Sequence, residues 1–182
     1  MLENKAASRY AKSIIDLATE QNALEQIKTD MAFIAQLIDQ NSELEAILKN
    51  PIVPLAKKSA ILQDLFSGKV HEITLAFLKL MVSKGRSEII FGAAKSVVKQ
   101  YNILKGIVTA EVASAIELTD SNRAEIVALV KKSLGANEVL IKEKINADLI
   151  GGFVLTVGDK QYNASISQGL NKLKQELAQG VA

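Results

Sequence analysis

The hydrophobic pattern of this chain changes period once, across Asn102–Gly106, and that change limits the possible folds more than any other feature. Upstream of it, apolar residues recur every three or four positions, which is the spacing of one face of an α-helix. Downstream, Ile107–Val112 and Phe153–Val157 are rich in β-branched and alternating apolar residues, which is typical of strands. We therefore predict a mainly α protein, with a helical bundle over residues 1–104 and a small α+β domain over residues 105–182.

The first domain is predicted to contain six helices joined by short loops, an arrangement that favours a compact bundle. Asn22 is placed to cap the second helix, and Gly85 is placed just beyond the end of the fifth. The predicted segments cover approximately residues 5–20, 22–40, 42–49, 54–68, 70–83 and 87–101.

The second domain is predicted to follow the order β-α-β-β-β-α. Its first helix has Thr119 or Asp120 as the N-cap and Gly135 at its end. The Gly158-Asp159 pair lies between two alternating runs, which indicates a β-hairpin.

A final amphipathic helix is predicted to start after Ser165, which is suited to the N-cap position. Its apolar stripe consists of Ile166, Leu170, Leu173 and Leu177. Because an isolated hairpin is marginally stable in water, we expect this stripe to cover the hairpin face made by Phe153, Leu155 and Val157.

The composition indicates a globular protein with ample core material and excludes several functional classes. Hydrophobic residues make up 48% of the 182 residues and charged residues 23%, while aromatic residues are only 4%. Since Cys is absent, neither a disulfide framework nor a thiolate metal site is possible. A net charge of +2, without basic blocks or interleaved aromatics, gives no support for nucleic-acid binding.

The residue types and spacings that catalysis requires are not found together. His71 is the single histidine, and no serine or acidic residue near it completes a nucleophilic triad. Gly151-Gly152 fits neither a dinucleotide-binding nor a phosphate-loop pattern, so a bend before a strand is the preferred interpretation. Lys57-Lys58 and Lys131-Lys132 are interpreted as solvated helix faces. We predict no catalytic residues, no cofactor and no metal.

The amino terminus has neither the apolar core nor the cleavage site of a secretory signal. No apolar stretch approaches the roughly 20 residues that a membrane-spanning helix needs. We therefore expect a soluble chain whose membrane association comes through partners.

Five segments of the sequence resemble the δ subunit of F-type ATP synthases, the family of the mitochondrial oligomycin-sensitivity-conferring protein. They occur in the family's order and cover nearly the whole chain. The matching segments are ASRYAKSIIDLA (residues 7–18), NPIVPLAKKSAIL (50–62), FLKLMVSKGR (77–86), VTAEVASAIELT (108–119) and INADLIGGFVLTVGDKQYNASISQGLNKLKQEL (145–177). Where the family commonly has Asp-Gly-Ser at the end of the hairpin, this chain has Asn163, Ala164 and Ser165.

The resemblance implies a non-catalytic stator subunit in the peripheral stalk of the rotary synthase. The bundle would hold the amino-terminal helix of an α subunit of the catalytic head, and the second domain would bind the b subunits of the stalk. The residues expected in the head groove are Tyr10, Ser13, Ile14, Leu17, Ala76 and Leu80. Those expected to contact the stalk are Leu170, Leu173 and Leu177. The start at Met1 and the resemblance together imply a peripheral protein on the cytoplasmic face of a bacterial cell membrane.

Two other classes of function stay open at this point. The first is a small enzyme that acts through carboxylates near the hairpin, such as Asp159. The second is a generic helical adaptor that is unrelated to the synthase.

Overall fold

A computed structural model describes residues 2–146, 149–158, 160–170 and 174. Its amino-terminal part contains the six predicted helices, so the helical half of the fold class is confirmed. The helices are α1 (Leu2–Glu20), α2 (Leu24–Gln40), α3 (Ser42–Lys49), α4 (Leu55–Phe66), α5 (Glu72–Ser83) and α6 (Ile90–Lys105), with a short 3-10 turn (Ser87–Ile89) before α6.

The core of this helical unit is built from the predicted apolar stripes. On α2, for example, the buried residues are Ile27, Met31, Ile34 and Ile38, which recur every three or four positions and therefore share one face. Matching stripes come from the other helices and meet in one continuous hydrophobic cluster. Since few of its residues are aromatic, close contacts among Ile, Leu, Met and Ala side chains fill the interior.

Two predictions about this unit are wrong in detail. Asn22 does not cap α2; Ala23 occupies the N-cap position and makes no side-chain bond there. Asn22 instead has a φ of +54°, the left-handed conformation that Asn tolerates better than most residues and that the tight turn after α1 requires. Lys58 is not on a solvated face, because only 3% of its surface is exposed.

The second unit contains a four-stranded mixed sheet and confirms the predicted α+β class. Its elements are β1 (Ile107–Ser114), α7 (Asp120–Leu134), β2 (Glu138–Ile145), β3 (Gly152–Val157) and β4 (Lys160–Ser165), followed by helical residues 166–170. The strand order is β2-β1-β3-β4, with β1 and β2 parallel and the other pairs antiparallel. A parallel pair needs a long crossover, which α7 supplies.

The ends of α7 follow the predicted capping pattern. The Thr119 hydroxyl accepts a hydrogen bond from the backbone N–H of Asn122, and Gly135 is in the left-handed conformation at the other end. The Arg123 side chain donates to Glu143 on β2 through Nε at 2.8 Å, which joins the helix to the sheet. This hydrogen bond raises the pKa of Arg123 above its ordinary value, so the side chain stays cationic.

In the described part of the chain, α7 packs on the hairpin face, where we expected the carboxy-terminal helix. Ile126 and Val130 of α7 are buried against Leu155, and Phe153 and Val157 pack around them. In the part of the final helix that the structure describes, Ile166 and Leu170 are 51% and 55% exposed. The Ser165 cap is present, since its Oγ accepts from the backbone N–H of Gln168 at 3.3 Å.

The chain divides into two compact units, Met1–Asn102 and Ile103–Ala182. Helix α6 is longer than the sequence pattern predicted, because it continues to Lys105. Gly106 then turns the chain into β1.

Candidate functional site

The predicted head-binding groove involves α1 and α5, which are joined by an aromatic contact. The ring of Tyr10 on α1 lies with its centroid 6.4 Å from that of Phe77 on α5, in an edge-to-face arrangement. Such a pair stabilises the contact by about 0.5–1.5 kcal/mol beyond simple burial. Phe77 is itself almost fully buried, while Tyr10 is half-buried and reaches the surface.

Of the predicted groove residues, four are exposed and one is half-buried. On α1, Tyr10, Ser13 and Leu17 are spaced by three and four residues and therefore share a face. On α5, Ala76 and Leu80 are also spaced by four. Leu17 is 40% exposed and Leu80 is 48% exposed, although both are large apolar residues. These five residues are called the α1/α5 surface below.

Ile14 departs from the prediction. It is only 2% exposed and belongs to the core of the helical unit. A partner that binds the α1/α5 surface therefore cannot touch Ile14 unless the bundle repacks. The helical period explains the difference, because Ile14 lies on the inward side of α1 with Ala11 and Ala18, which are also buried.

Both ends of α5 are fixed by specific hydrogen bonds, so its exposed residues have a rigid support. At the amino end, the Asp30 carboxylate accepts from the backbone N–H of His71 at 2.7 Å and from the Thr74 hydroxyl at 2.8 Å. His71 in turn caps the helix, since its Nδ1 accepts from the backbone N–H of Ile73.

At the carboxy end of α5, the chain makes the double hydrogen bond of a Schellman motif. The backbone N–H groups of Gly85 and Arg86 donate to the carbonyls of Val82 and Met81, at 2.9 and 2.8 Å. Gly85 has a φ of +68°, as this motif requires, so the predicted glycine end of the helix is confirmed.

A surface depression of about 320 Å³ adjoins the α1/α5 surface and shares Tyr10 and Ser13 with it. It is also lined by Ala6, Arg9 and Arg86. Both arginines are exposed, and within the described part of the chain neither guanidinium group has a hydrogen-bond or ion-pair partner. The sequence analysis did not single out these two arginines, because they are 77 positions apart and only the fold brings them to one cavity.

The predicted stalk-contact residues are described only in part. Leu170 is exposed, whereas Leu173 and Leu177 lie outside the described residues. A depression of about 250 Å³ is present elsewhere in the same unit, between α7 and the β3–β4 hairpin. It is lined by Leu129, Val130, Leu155, Val157, Lys160, Gln161 and Tyr162.

The described residues contain neither a candidate metal-binding group nor a candidate membrane-spanning helix. No three His, Asp or Glu side chains among them are grouped closely enough to hold a metal ion. None of the helices described in the structure is sufficiently long and apolar to cross a membrane.

The sequence profile of the ATP synthase delta (OSCP) subunit family matches residues 6–177. The chain belongs to this family. The ATP synthase subunit delta of Cytophaga hutchinsonii is 39% identical over 181 residues, which are 100% of this chain and 98% of the relative. The subunit delta of Flavobacterium psychrophilum is 36% identical, with 98% of this chain and 99% of the relative covered.

A solved structure shares the fold of this delta-family chain. A chain of the mitochondrial ATP synthase hexamer of Toxoplasma gondii is similar with a TM-score of 0.73, at 17% sequence identity. The match covers 94% of this chain and 97% of that chain, so it includes both the helical and the α+β part of the delta-family fold.

Proposed function

We propose that this chain is the stator subunit that links the catalytic head of an ATP synthase to its peripheral stalk. The observation that carries the proposal is the match to subunit delta relatives over essentially the full length of both chains. A match of that extent favours the whole function of the relatives, because both units of the fold are included.

On the head side, the proposed ligand of the α1/α5 surface is the amino-terminal helix of an α subunit. Leu17 and Leu80 expose large apolar side chains on two neighbouring helices, and binding of an amphipathic helix removes such surface from water. Ala76 is small, so it leaves room for a close approach of the partner helix. The fixed ends of α5 keep this surface preorganised, which lowers the entropic cost of binding.

On the stalk side, the second unit is proposed to bind the ends of the b subunits. Leu170 is the described member of the proposed contact set, and its exposed apolar side chain is not needed for the core, which α7 already covers. Leu173 and Leu177 continue the same helical period in the sequence.

The mechanical role follows from having a binding surface in each unit. A head held through the stalk cannot turn with the central rotor, so the torque from proton flow acts on the nucleotide sites. This chain is therefore proposed to transmit force and to perform no chemistry itself. Its place would be the cytoplasmic face of a bacterial cell membrane, reached through its partners.

The alternative of a generic helical adaptor is not favoured, because the relatives match the α+β part as well as the helices. The alternative of a small enzyme has no observation in its favour; Asp159, the carboxylate considered for it, lies outside the described residues.

Purification from native membranes tests the proposal. The untagged chain is followed through detergent extraction and isolation of the synthase by a tag on a head subunit. We expect it to co-purify with the tagged head and with the stalk subunits. Recovery of the chain only in fractions without synthase subunits would contradict the proposed function.

A further inference from the structure

We propose that the cavity between Arg9 and Arg86 binds a carboxylate side chain of the helix that docks on the α1/α5 surface. This inference rests on the proposed function and adds to it the chemistry of the partner. It assigns to the docked segment an acidic residue at a defined place, beside the apolar residues that meet Leu17 and Leu80.

The cavity carries an unbalanced positive charge. Arg9 and Arg86 both line it, and both are exposed. No carboxylate in the described ranges, 2–146 among them, pairs with either guanidinium, whereas Arg123 in the second unit is held by Asp120 and Glu143. Two cations on one cavity repel each other, and an anion bound between them adds two attractions at shorter distance that outweigh this repulsion.

The two arginines are attached to backbone that is held by hydrogen bonds. Arg9 is in the middle of α1, where Ser13 Oγ also donates to its carbonyl. Arg86 is held at the end of α5 by its N–H bond to Met81. Because the guanidinium group is planar and offers several donors, two such groups on a rigid support are well suited to a carboxylate.

The position of the cavity beside the α1/α5 surface indicates where the carboxylate comes from. The cavity shares Tyr10 and Ser13 with the α1/α5 surface, so a helix lying on that surface passes beside the two arginines. The Tyr10 ring, which contacts Phe77 edge to face, lines the cavity and also belongs to the α1/α5 surface. An amphipathic helix with an acidic residue next to its apolar stripe fits both parts, and the charge contact would fix its register and direction.

The test is calorimetric binding of a synthetic peptide with the amino-terminal sequence of the α subunit from the same organism. The full chain is compared with Arg9→Gln, Arg86→Gln and the control Lys12→Gln, an exposed cation on α1 that does not line the cavity. We expect Kd to rise about tenfold for each arginine variant and less than about twofold for the lysine variant. Arg9→Lys and Arg86→Lys should lose less affinity for the peptide than the Gln variants, because they keep the positive charge.

A second set of peptides identifies the acidic residue. Each Asp or Glu of the peptide is changed in turn to Asn or Gln. One change should weaken binding to the unmodified chain by about tenfold and have little effect on binding to Arg86→Gln, because the two changes remove the same contact.

The outcomes separate this inference from the proposed function. Tight binding of the peptide with equal Kd for the Arg86→Gln and Lys12→Gln variants overturns the carboxylate site. The α1/α5 surface would then still be the proposed binding site of the peptide. Unchanged binding after neutralisation of every peptide acid overturns it in the same way. Failure of the peptide to bind the unmodified chain overturns both the groove and the carboxylate site. Circular dichroism of each variant establishes that the helical content is intact.

Discussion

The Nζ atom of Lys58 lies 2.8 Å from the carbonyl oxygen of Leu48, in the interior of the helical unit. It also lies 2.8 Å from Oγ of Ser87, which itself donates to the same carbonyl at 2.7 Å. Leu48 is in the last turn of α3, where carbonyls lack partners within the helix and a positive charge is favourable. One buried lysine thus joins α3, α4 and the 3-10 turn before α6.

Replacement of Lys58 by Ala should lower the free energy of unfolding by about 2–3 kcal/mol. The change removes two charge-assisted hydrogen bonds and leaves a cavity where the aliphatic part of the side chain was. Lys57→Ala is the matched control, since Lys57 is exposed on the same helix and its loss should cost less than about 0.5 kcal/mol. Chemical denaturation followed by circular dichroism measures both. Equal destabilisation by the two variants would show that the buried contact contributes nothing.

Gly152 should be the least replaceable glycine of the second unit. Its φ is +79°, and a Cβ added there would clash with the carbonyl oxygen of Ala164 on the paired strand. Gly158 is the matched control because it also has a positive φ, of +62°, but faces open space. We expect Gly158→Ala to cost about 1–2 kcal/mol from backbone strain alone. Gly152→Ala carries the steric clash as well and should unfold the sheet, with loss of its dispersed amide signals in the NMR spectrum. Similar spectra for the two variants would contradict the close approach of β3 and β4.

The helical unit should fold by itself when the chain is ended after Lys105. The contacts divide the chain at Asn102 and Ile103, but α6 continues without a break to Lys105. A fragment of residues 1–105 therefore keeps the helix whole, whereas a fragment ending at Asn102 removes its last turn. We expect the longer fragment to unfold cooperatively near the temperature of the first unit in the full chain. A fragment without cooperative unfolding would mean that the two units are not independent.

An Ala76→Glu substitution should weaken binding of the α-subunit peptide by a factor of at least 100. Ala76 is exposed in the free chain, so the variant should fold normally, but binding would bury an unpaired carboxylate at a cost of several kcal/mol. Glu72→Gln, an exposed change in the first turn of α5, serves as a control for altered charge on the same helix. Unchanged binding by a folded Ala76→Glu variant would place the head contact on another surface.

The local features of the fold could be predicted from the sequence, because periodicity and capping act over a few residues. The α2 stripe, the Thr119 cap and the Gly85 end are examples. Apart from the local error at Asn22, the wrong predictions concern residues whose surroundings are formed by distant parts of the chain. From its sequence pattern Lys58 is expected at the surface, but α3 and the turn at Ser87 pack around it and bury it. The sequence pattern also does not indicate which helix covers Leu155.

The same difference between local and long-range features applies to the predicted head-binding site. The stripe of Tyr10, Ser13 and Leu17 is visible in the sequence because its members lie on one helix. Whether Ile14 faces inward depends on the packing of the whole bundle, and the pairing of Arg9 with Arg86 depends on where the end of α5 meets α1. Neither the burial of Ile14 nor the proximity of the two arginines can be inferred from position in the sequence.

If one chain connects head to stalk, it must bind both partners at the same time. A head assembly with intact α-subunit amino termini and a soluble b-subunit fragment are mixed with the full chain and with a truncation ending at Gln168. Because α7 covers Leu155 in the core of the second unit, we expect the truncated chain to stay folded.

Sedimentation velocity gives the composition of each complex. We expect a complex of head, full chain and b fragment, and a complex of head and truncated chain that lacks the b fragment. Competition between head and b fragment for the full chain would overturn the stator function, because it would mean that the two partners share one surface and are not linked by this protein.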